Sequence, residues 1–214
     1  MVGPPGAGKG TQAFLLAERL GLEHVASGDL FRDHITRETA LGKKVKSYLD
    51  RGALVPDDLA VQLVVHKLND PEAAGGVVLD GFPRTRQQAE ALDRMLTRQG
   101  ARVQAALYID VDRDEIIHRL SGRWICSESS NHVYHEITRP PRVLGLCDID
   151  NAPLKQRDDD RPETVKARLE QQLAPMFEVV DYYSERGVLS TVDGEQPIEG
   201  VTDALLRAVA QPAR

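Results

Sequence analysis

The run Gly3-Pro4-Pro5-Gly6-Ala7-Gly8-Lys9-Gly10-Thr11 constrains this chain more than any other feature. Its glycines free the backbone to turn N–H groups inward as an anion nest, and the helix that follows adds its positive end. Lys9 stands at the spacing that lets an ammonium reach the β and γ phosphates of a nucleotide. Ala13, Leu16, Ala17 and Leu20 recur at helical offsets behind it, and Gly21 ends the pattern. The loop has the glycine and lysine spacing of a Walker A motif, with one departure. Gly10 rather than Ser or Thr follows the lysine, and Thr11 comes one place later. A plain glycine-rich turn is the bland alternative; the lysine and the amphipathic helix tell against it.

Only Met1 and Val2 precede the loop, so the central strand is expected to be short, leaving its neighbours' edges exposed and the core weaker. Apolar runs at Val77 to Leu79, Ala105 to Ile109 and Val188 to Val192 read as buried strands. A helical pattern runs from Leu59 to Leu68. Capping-box spacings at Asp112/Glu115 and Asp160/Glu163 place helix starts before Ile116 and Val165, and Pro175 is expected to kink or divide the second of these helices. Strands alternating with helices predict the α/β class, a parallel sheet covered by helices. From about 122 to 160 the helical period lapses, and Pro140, Pro141, Gly145 and Pro153 punctuate short β-like pieces. That stretch reads as a small β-rich insertion into a single core of 1–121 and 161–214.

At 214 residues the chain can bury one sizeable core. No apolar run approaches the ~18 residues of a membrane span, and no signal segment opens the chain, so a cytoplasmic protein without membrane contact is expected. A net charge of −6 argues against nucleic acid or anionic lipid as a partner. Polyphosphate binding then requires cations to converge locally. With only Cys126 and Cys147, no disulfide framework is expected and a reducing compartment fits.

Three segments, GPPGAGKGTQ at Gly3 to Gln12, SGDLFR at Ser27 to Arg32 and DGFPRT at Asp80 to Thr85, together resemble adenylate kinases and related nucleoside monophosphate kinases. Residues 122–160 resemble the long lid of the long-form enzymes. The resemblance covers essentially the whole chain. It implies the P-loop nucleoside monophosphate kinase fold, with transfer of a phosphoryl group from MgATP to AMP giving two ADP, in a chain expected to act as a monomer.

On this resemblance Gly6, Ala7, Gly8, Lys9, Gly10 and Thr11 cradle the ATP phosphates. Asp80, ending a predicted strand, orients hydrated Mg²⁺, which keeps several of its own waters. The resemblance gives Arg32 and Arg84 to the AMP phosphate, where a planar fork donates parallel hydrogen bonds. Ser27, Gly81, Phe82, Gln88 and the backbone of Ala53, Leu54 and Val55 line the AMP nucleoside, Gln88 reading adenine. Residues 27–55 form the helical AMP-binding segment. Arg119, Arg123, Arg157 and Arg168 meet the transferring phosphates as the lid closes. Arg119 and Arg123 share one face if their helix persists past Gly122. The bland reading of Arg157 is a salt-bridged surface with Asp158, Asp159 and Asp160. Tyr134 and Gln196 are further nucleotide-side positions; the Tyr134-His135 pair has a mainly structural part, and Gln196 lies in a loop expected beside the ATP adenine.

Some long-form relatives hold structural zinc in the lid. The equivalent residues here are Cys126, Ser129, Cys147 and Asp150, and neutral serine is a poor zinc ligand. His132 supplies a fourth ligand only if its loop bends toward the others. No bound metal is therefore expected there. The rival readings are a pyrimidine or GTP-using monophosphate kinase, a nucleotide-binding switch, and a non-catalytic remnant. A switch leaves two remote arginine sets without a task, and no Asn-Lys-x-Asp guanine-reading motif is present.

Overall fold

The computed structural model describes residues 1–210. The helices are α1 (Lys9–Leu20), α2 (Ser27–Thr36), α3 (Ala40–Asp50), α4 (Asp57–Leu68), α5 (Arg86–Arg98), α6 (Arg113–Ser121), α7 (Pro162–Ser184) and α8 (Ile198–Ala210). The strands are β1 (Glu23–Ala26), β2 (Val77–Asp80), β3 (Ala106–Asp110), β4 (Arg123–Cys126), β5 (Val133–His135), β6 (Leu154–Lys155) and β7 (Leu189–Asp193).

The three expected apolar runs become β2, β3 and β7; β3 pairs with β7 in parallel, and β2 pairs in parallel with β1, a strand not expected from the sequence. Met1 and Val2 lie between the pairs and join them. The Met1 amino group donates to Leu79 O at 2.8 Å, Val2 N–H donates to Leu107 O at 2.8 Å, and Ile109 N–H donates to Val2 O at 3.0 Å. Two residues thus supply the middle of the sheet, and the phosphate loop leaves directly from it. The inner edges of β2 and β3 are bridged at this level rather than left open.

Side chains alternate across a strand, so each face of the sheet builds its own core. Leu107 and Ile109 meet Ala13, Leu16, Ile116, Leu120, Leu169 and Leu205 on one side, whereas Ala106 and Tyr108 meet Val2, Met176, Val179 and Tyr183 on the other. Helix α7 serves both cores, Leu169 in the first and Met176 in the second. Pro175 falls between these contacts and does not divide the helix, which runs unbroken for 23 residues. A third core of Phe31, Val45, Val55, Val64, Phe82 and Leu92 holds α2, α3 and α4 against α5.

Caps depart from the expected pairs. Asp112 caps α6 by accepting from Asp114 N–H at 2.8 Å, but Glu115 turns to Arg119 at 2.7 Å instead of closing a capping box. The Asp112 N–H is taken by Glu195 Oε1 at 2.8 Å. Helix α7 starts from Arg161, not Asp160, whose carboxylate is drawn inward by arginines. Helix α6 also stops at Ser121, so Arg119 and Arg123 do not share a helical face; Arg123 opens β4 instead. Strands β5, β4 and β6 form a small antiparallel sheet in that order, with Cys126, Tyr134 and Cys147 as its buried centre. Among the described residues no helix is long and apolar enough to cross a membrane.

Candidate active site

The phosphate loop takes its shape from glycine. Gly6 has φ +84°, and a Cβ there would come within 2.8 Å of Leu120 Cγ. The buried Leu120 side chain therefore presses the loop backbone into place. Lys9 Nζ donates to Gly3 O at 2.8 Å and Pro4 O at 2.7 Å, curling back over the loop that precedes it. Burial lowers the Lys9 pKa to about 7, against the pull of Asp80 and with help from Arg84, Arg168 and Arg123. Asp80, at the carboxyl end of β2, stands beside Gly10: a Cβ on that glycine would lie 3.4 Å from Asp80 Oδ2. The room left by Gly10 accommodates the carboxylate.

In front of the loop opens a cleft of about 540 Å³, and every residue assigned to the nucleotides from the sequence lines it. Lys9, Arg32, Arg84, Arg119, Arg123, Arg139, Arg157 and Arg168 face it, with Asp29, Asp80, Glu115 and Asp159 as its carboxylates. Eight basic side chains against four carboxylates concentrate positive charge in the cleft, within a chain of net charge −6. The convergence that polyphosphate binding requires is present.

The arginines are held from behind. Arg123 grips Asp160 bidentately, with Nε donating at 2.7 Å, and Arg168 NH1 donates to the same carboxylate at 3.2 Å. Arg168 also pairs with Asp159 at 3.3 Å. Arg119 is fixed by Glu115 at 2.7 Å and by Gly194 O at 3.0 Å. Arg157 differs: its Nε is buried with no hydrogen-bond partner among the described residues. Burial, reinforced by Arg32 and Arg123, lowers its pKa to about 10. Largely buried pairing with Asp159 and Asp160 accounts for Arg123 and Arg168 in part; among the described residues Arg157 has no such pair. A guanidinium whose Nε is buried and unpaired, in a positive cleft, calls for an anion.

The second half of the cleft is built by the DGFPRT turn. Gly81 has φ +71°, and a Cβ there would lie 2.9 Å from both Ser27 Oγ and an Arg84 nitrogen. Its carbonyl accepts from Ser27 Oγ at 2.7 Å and from Arg84 Nε at 2.7 Å, so one bare peptide positions both side chains. Thr85 caps α5 by accepting from Gln88 N–H at 3.1 Å. Gln88, 2% exposed, is thereby planted at the cleft floor. Ala53, Leu54, Val55 and Phe82 supply its apolar wall.

A model of the adenylate kinase family matches residues 1–188. An adenylate kinase of Streptomyces avermitilis is 46% identical over 209 residues, covering 98% of this chain and 95% of its own length. One from Streptomyces coelicolor is 44% identical, with 98% and 96% covered, and one from Staphylococcus aureus is 45% identical, with 94% of each covered. The chain belongs to the adenylate kinase family. It is a nucleoside monophosphate kinase that transfers a phosphoryl group between adenine nucleotides.

Other residues of the chain line the cleft without having stood out in the sequence. His24 Nε2 lies 4.0 Å from Asp80 Oδ2 on the neighbouring strand, and Arg139 adds another cation from the β-rich insert. His24 is the second residue of β1, and only the pairing of β1 with β2 brings it to Asp80. Arg139 follows an irregular run that carries no pattern. Tyr134 lines the cleft, but its hydroxyl lies 3.4 Å from Cys147 Sγ and accepts from Asp148 N–H at 2.7 Å. Gln196 also lines it, its amide donating to Asp193 O at 3.4 Å.

The metal expectation rested on Ser129 leaving too few ligands. The β4–β5 hairpin alters that count. Ile125 pairs with Val133, and Cys126 N–H donates to His132 O at 3.0 Å, so Cys126 and His132 face one another across the turn. His132 Nδ1 lies 3.1 Å from Asp150 Oδ2 and 3.4 Å from Cys147 Sγ, while Cys126 Sγ lies 3.3 Å from both Asp150 oxygens. One donor atom from each of the four residues falls within 4.8 Å of the others. Tetrahedral zinc with bonds of about 2.0–2.3 Å separates its ligands by roughly 3.3–3.8 Å, so this two-thiol, imidazole and carboxylate set fits zinc.

Proposed function

We propose that the cleft grips two nucleotides end to end, MgATP on the phosphate loop and AMP in the pocket behind DGFPRT, and converts them to two ADP. An oxygen of the AMP phosphate attacks the γ-phosphorus in line, and the bond from that phosphorus to the β,γ-bridging oxygen breaks. The attacking oxygen is already anionic, so the step needs no general base. Positioning and charge do the remaining work.

The roles divide by position. Gly6 to Thr11 and Lys9 hold the donor phosphates, and Asp80 would hold hydrated Mg²⁺, whose charge offsets that of the phosphates. Arg32 and Arg84 hold the AMP phosphate, with Ser27, Gly81, Phe82, Gln88 and residues 53–55 around its nucleoside. Arg119, Arg123, Arg157 and Arg168 surround the group in transit, and residues 122–160 close over it and exclude water. Tyr134 supports that lid from inside, and the loop around Gln196 lies at the ATP base. Cys126, His132, Cys147 and Asp150 would hold zinc, which supplies a structural cross-link remote from the chemistry.

The observation that carries this reading is Arg157, whose Nε is buried without a hydrogen-bond partner among the described residues, in a cleft that also holds the phosphate loop. Kinetics test it. Lys9→Ala or Arg123→Ala lowers kcat by about 10²-fold or more, because each stabilises charge chiefly in transit. Arg84→Ala mainly raises the AMP KM, by roughly tenfold or more for a lost charge-assisted bond. Wild-type kinetics in all three variants would remove the assignment.

A further inference from the structure

Gln88 is held by both ends of its amide. Its Oε1 accepts from Arg84 N–H at 2.8 Å, and its Nε2 donates to Asp57 Oδ1 at 2.7 Å. A glutamine three residues beyond an N-cap ordinarily turns back to the N–H of the cap itself. Here the side chain reaches past Thr85 to Arg84 and across to α4. Asp57, the first residue of α4, does not line the cleft, whereas Gln88 does.

The chemistry of the two partners decides which way round the amide sits. An ionised carboxylate can only accept, and a backbone N–H can only donate. An amide turned over would set its oxygen against a carboxylate and its NH₂ against an N–H. Both contacts would be repulsive. The orientation is therefore dictated by the surroundings and not by a free choice between nearly equivalent atoms. One N–H on Nε2 and one lone pair on Oε1 remain for a ligand.

We propose that Asp57 is a specificity-positioning residue that locks the Gln88 amide in the sense accepting a 6-amino purine and refusing a 6-oxo purine. Adenine offers an N6 donor beside an N1 acceptor, which match the free lone pair and the free N–H. Hypoxanthine and guanine offer an O6 acceptor beside an N1–H donor, the reverse order. Against the locked amide each would bury two mismatched pairs, and sites built to hydrogen-bond a polar edge discriminate strongly for that reason. The proposal rests on the reading that Gln88 meets the AMP base, and Asp57 acts only through it.

The test compares kcat/KM for AMP and IMP. Asp57→Ala removes one of two clamps, so the AMP:IMP ratio falls about tenfold, with AMP KM changing more than kcat. Asp57→Asn, whose Oδ1 still accepts, restores the ratio. Asp57→Glu keeps a negative charge at the start of α4 but displaces the carboxylate by a methylene; it behaves like the alanine variant even if that variant folds poorly. A wild-type ratio in Asp57→Glu, or in a folded Asp57→Ala, overturns the proposal. Gln88→Ala separates the two ideas. If it too leaves AMP KM and the ratio unchanged, the base does not meet Gln88. If Gln88→Ala destroys discrimination while the Asp57 variants preserve it, the lock alone fails.

Discussion

At the scale of single residues, burial disfavours the charged form of the phosphate-loop lysine. Lys9 is buried, and its pKa falls from 10.5 to about 7. As pH rises from about 7 toward 10.5, the unfolded chain keeps a proton that the folded protein has lost, so this group's contribution to stability rises with pH. Below about 7 the folded protein bears the full cost of the buried ammonium. A bound polyphosphate reverses the balance by favouring the charged form. At pH 8, binding of a bis-adenosine polyphosphate is therefore accompanied by uptake of nearly one proton at Lys9. Calorimetry in buffers of different ionisation enthalpy should show it, and Lys9→Met should abolish it. A buffer-independent enthalpy for the wild type would refute the linkage. Lys9 was plain in the sequence because its glycines fix it locally. His24 was not, since its meaning arises only when β1 lies beside β2 and brings Asp80 within 4.0 Å.

Individual elements were legible where one period dominates. The Lys9–Leu20 pattern, the strands at Val77, Ala106 and Leu189, and the β-rich character of the insert all appear in the structure. Boundaries failed where two demands met on one residue. Asp160 has the spacing of an N-cap, yet Arg123 and Arg168 claim its carboxylate. Pro175 has the chemistry of a breaker, yet α7 packs into separate cores on either side of it and stays whole. His132 was obscured for another reason: hairpin register, not sequence spacing, sets it opposite Cys126. The expected result of metal analysis on protein purified without chelator is one zinc per chain. His132→Ala should lose that metal and melt at a lower temperature, whereas Ser129→Ala should retain it. Absence of zinc from the wild type would leave a hydrogen-bonded cluster in its place.

For the molecule as a whole, the insert touches the helical segment 27–55 directly. Ser130 Oγ donates to Asp29 Oδ2 at 2.7 Å, and Asp29 also holds Arg32 through a 3.2 Å bond from Nε. One hydrogen bond to a charged group thus joins the two walls of the cleft. Ser130→Ala should shift the ligand-free protein toward open forms by about 1.5 kcal/mol, roughly a tenfold change in the closed-to-open ratio. Single-molecule energy transfer between labels on the insert and on α3 would read it; an unchanged distribution would dismiss the contact as incidental.

The partition of apolar side chains bears on how such a molecule fails. The cluster around Phe31 and Val64 and the one around Tyr134 are each distinct from the two that sandwich the sheet. A swing of either wall need not tear open a shared interior. Damage inside one of these satellites would then surface first as sluggish turnover or local proteolytic nicking, long before the central scaffold melts.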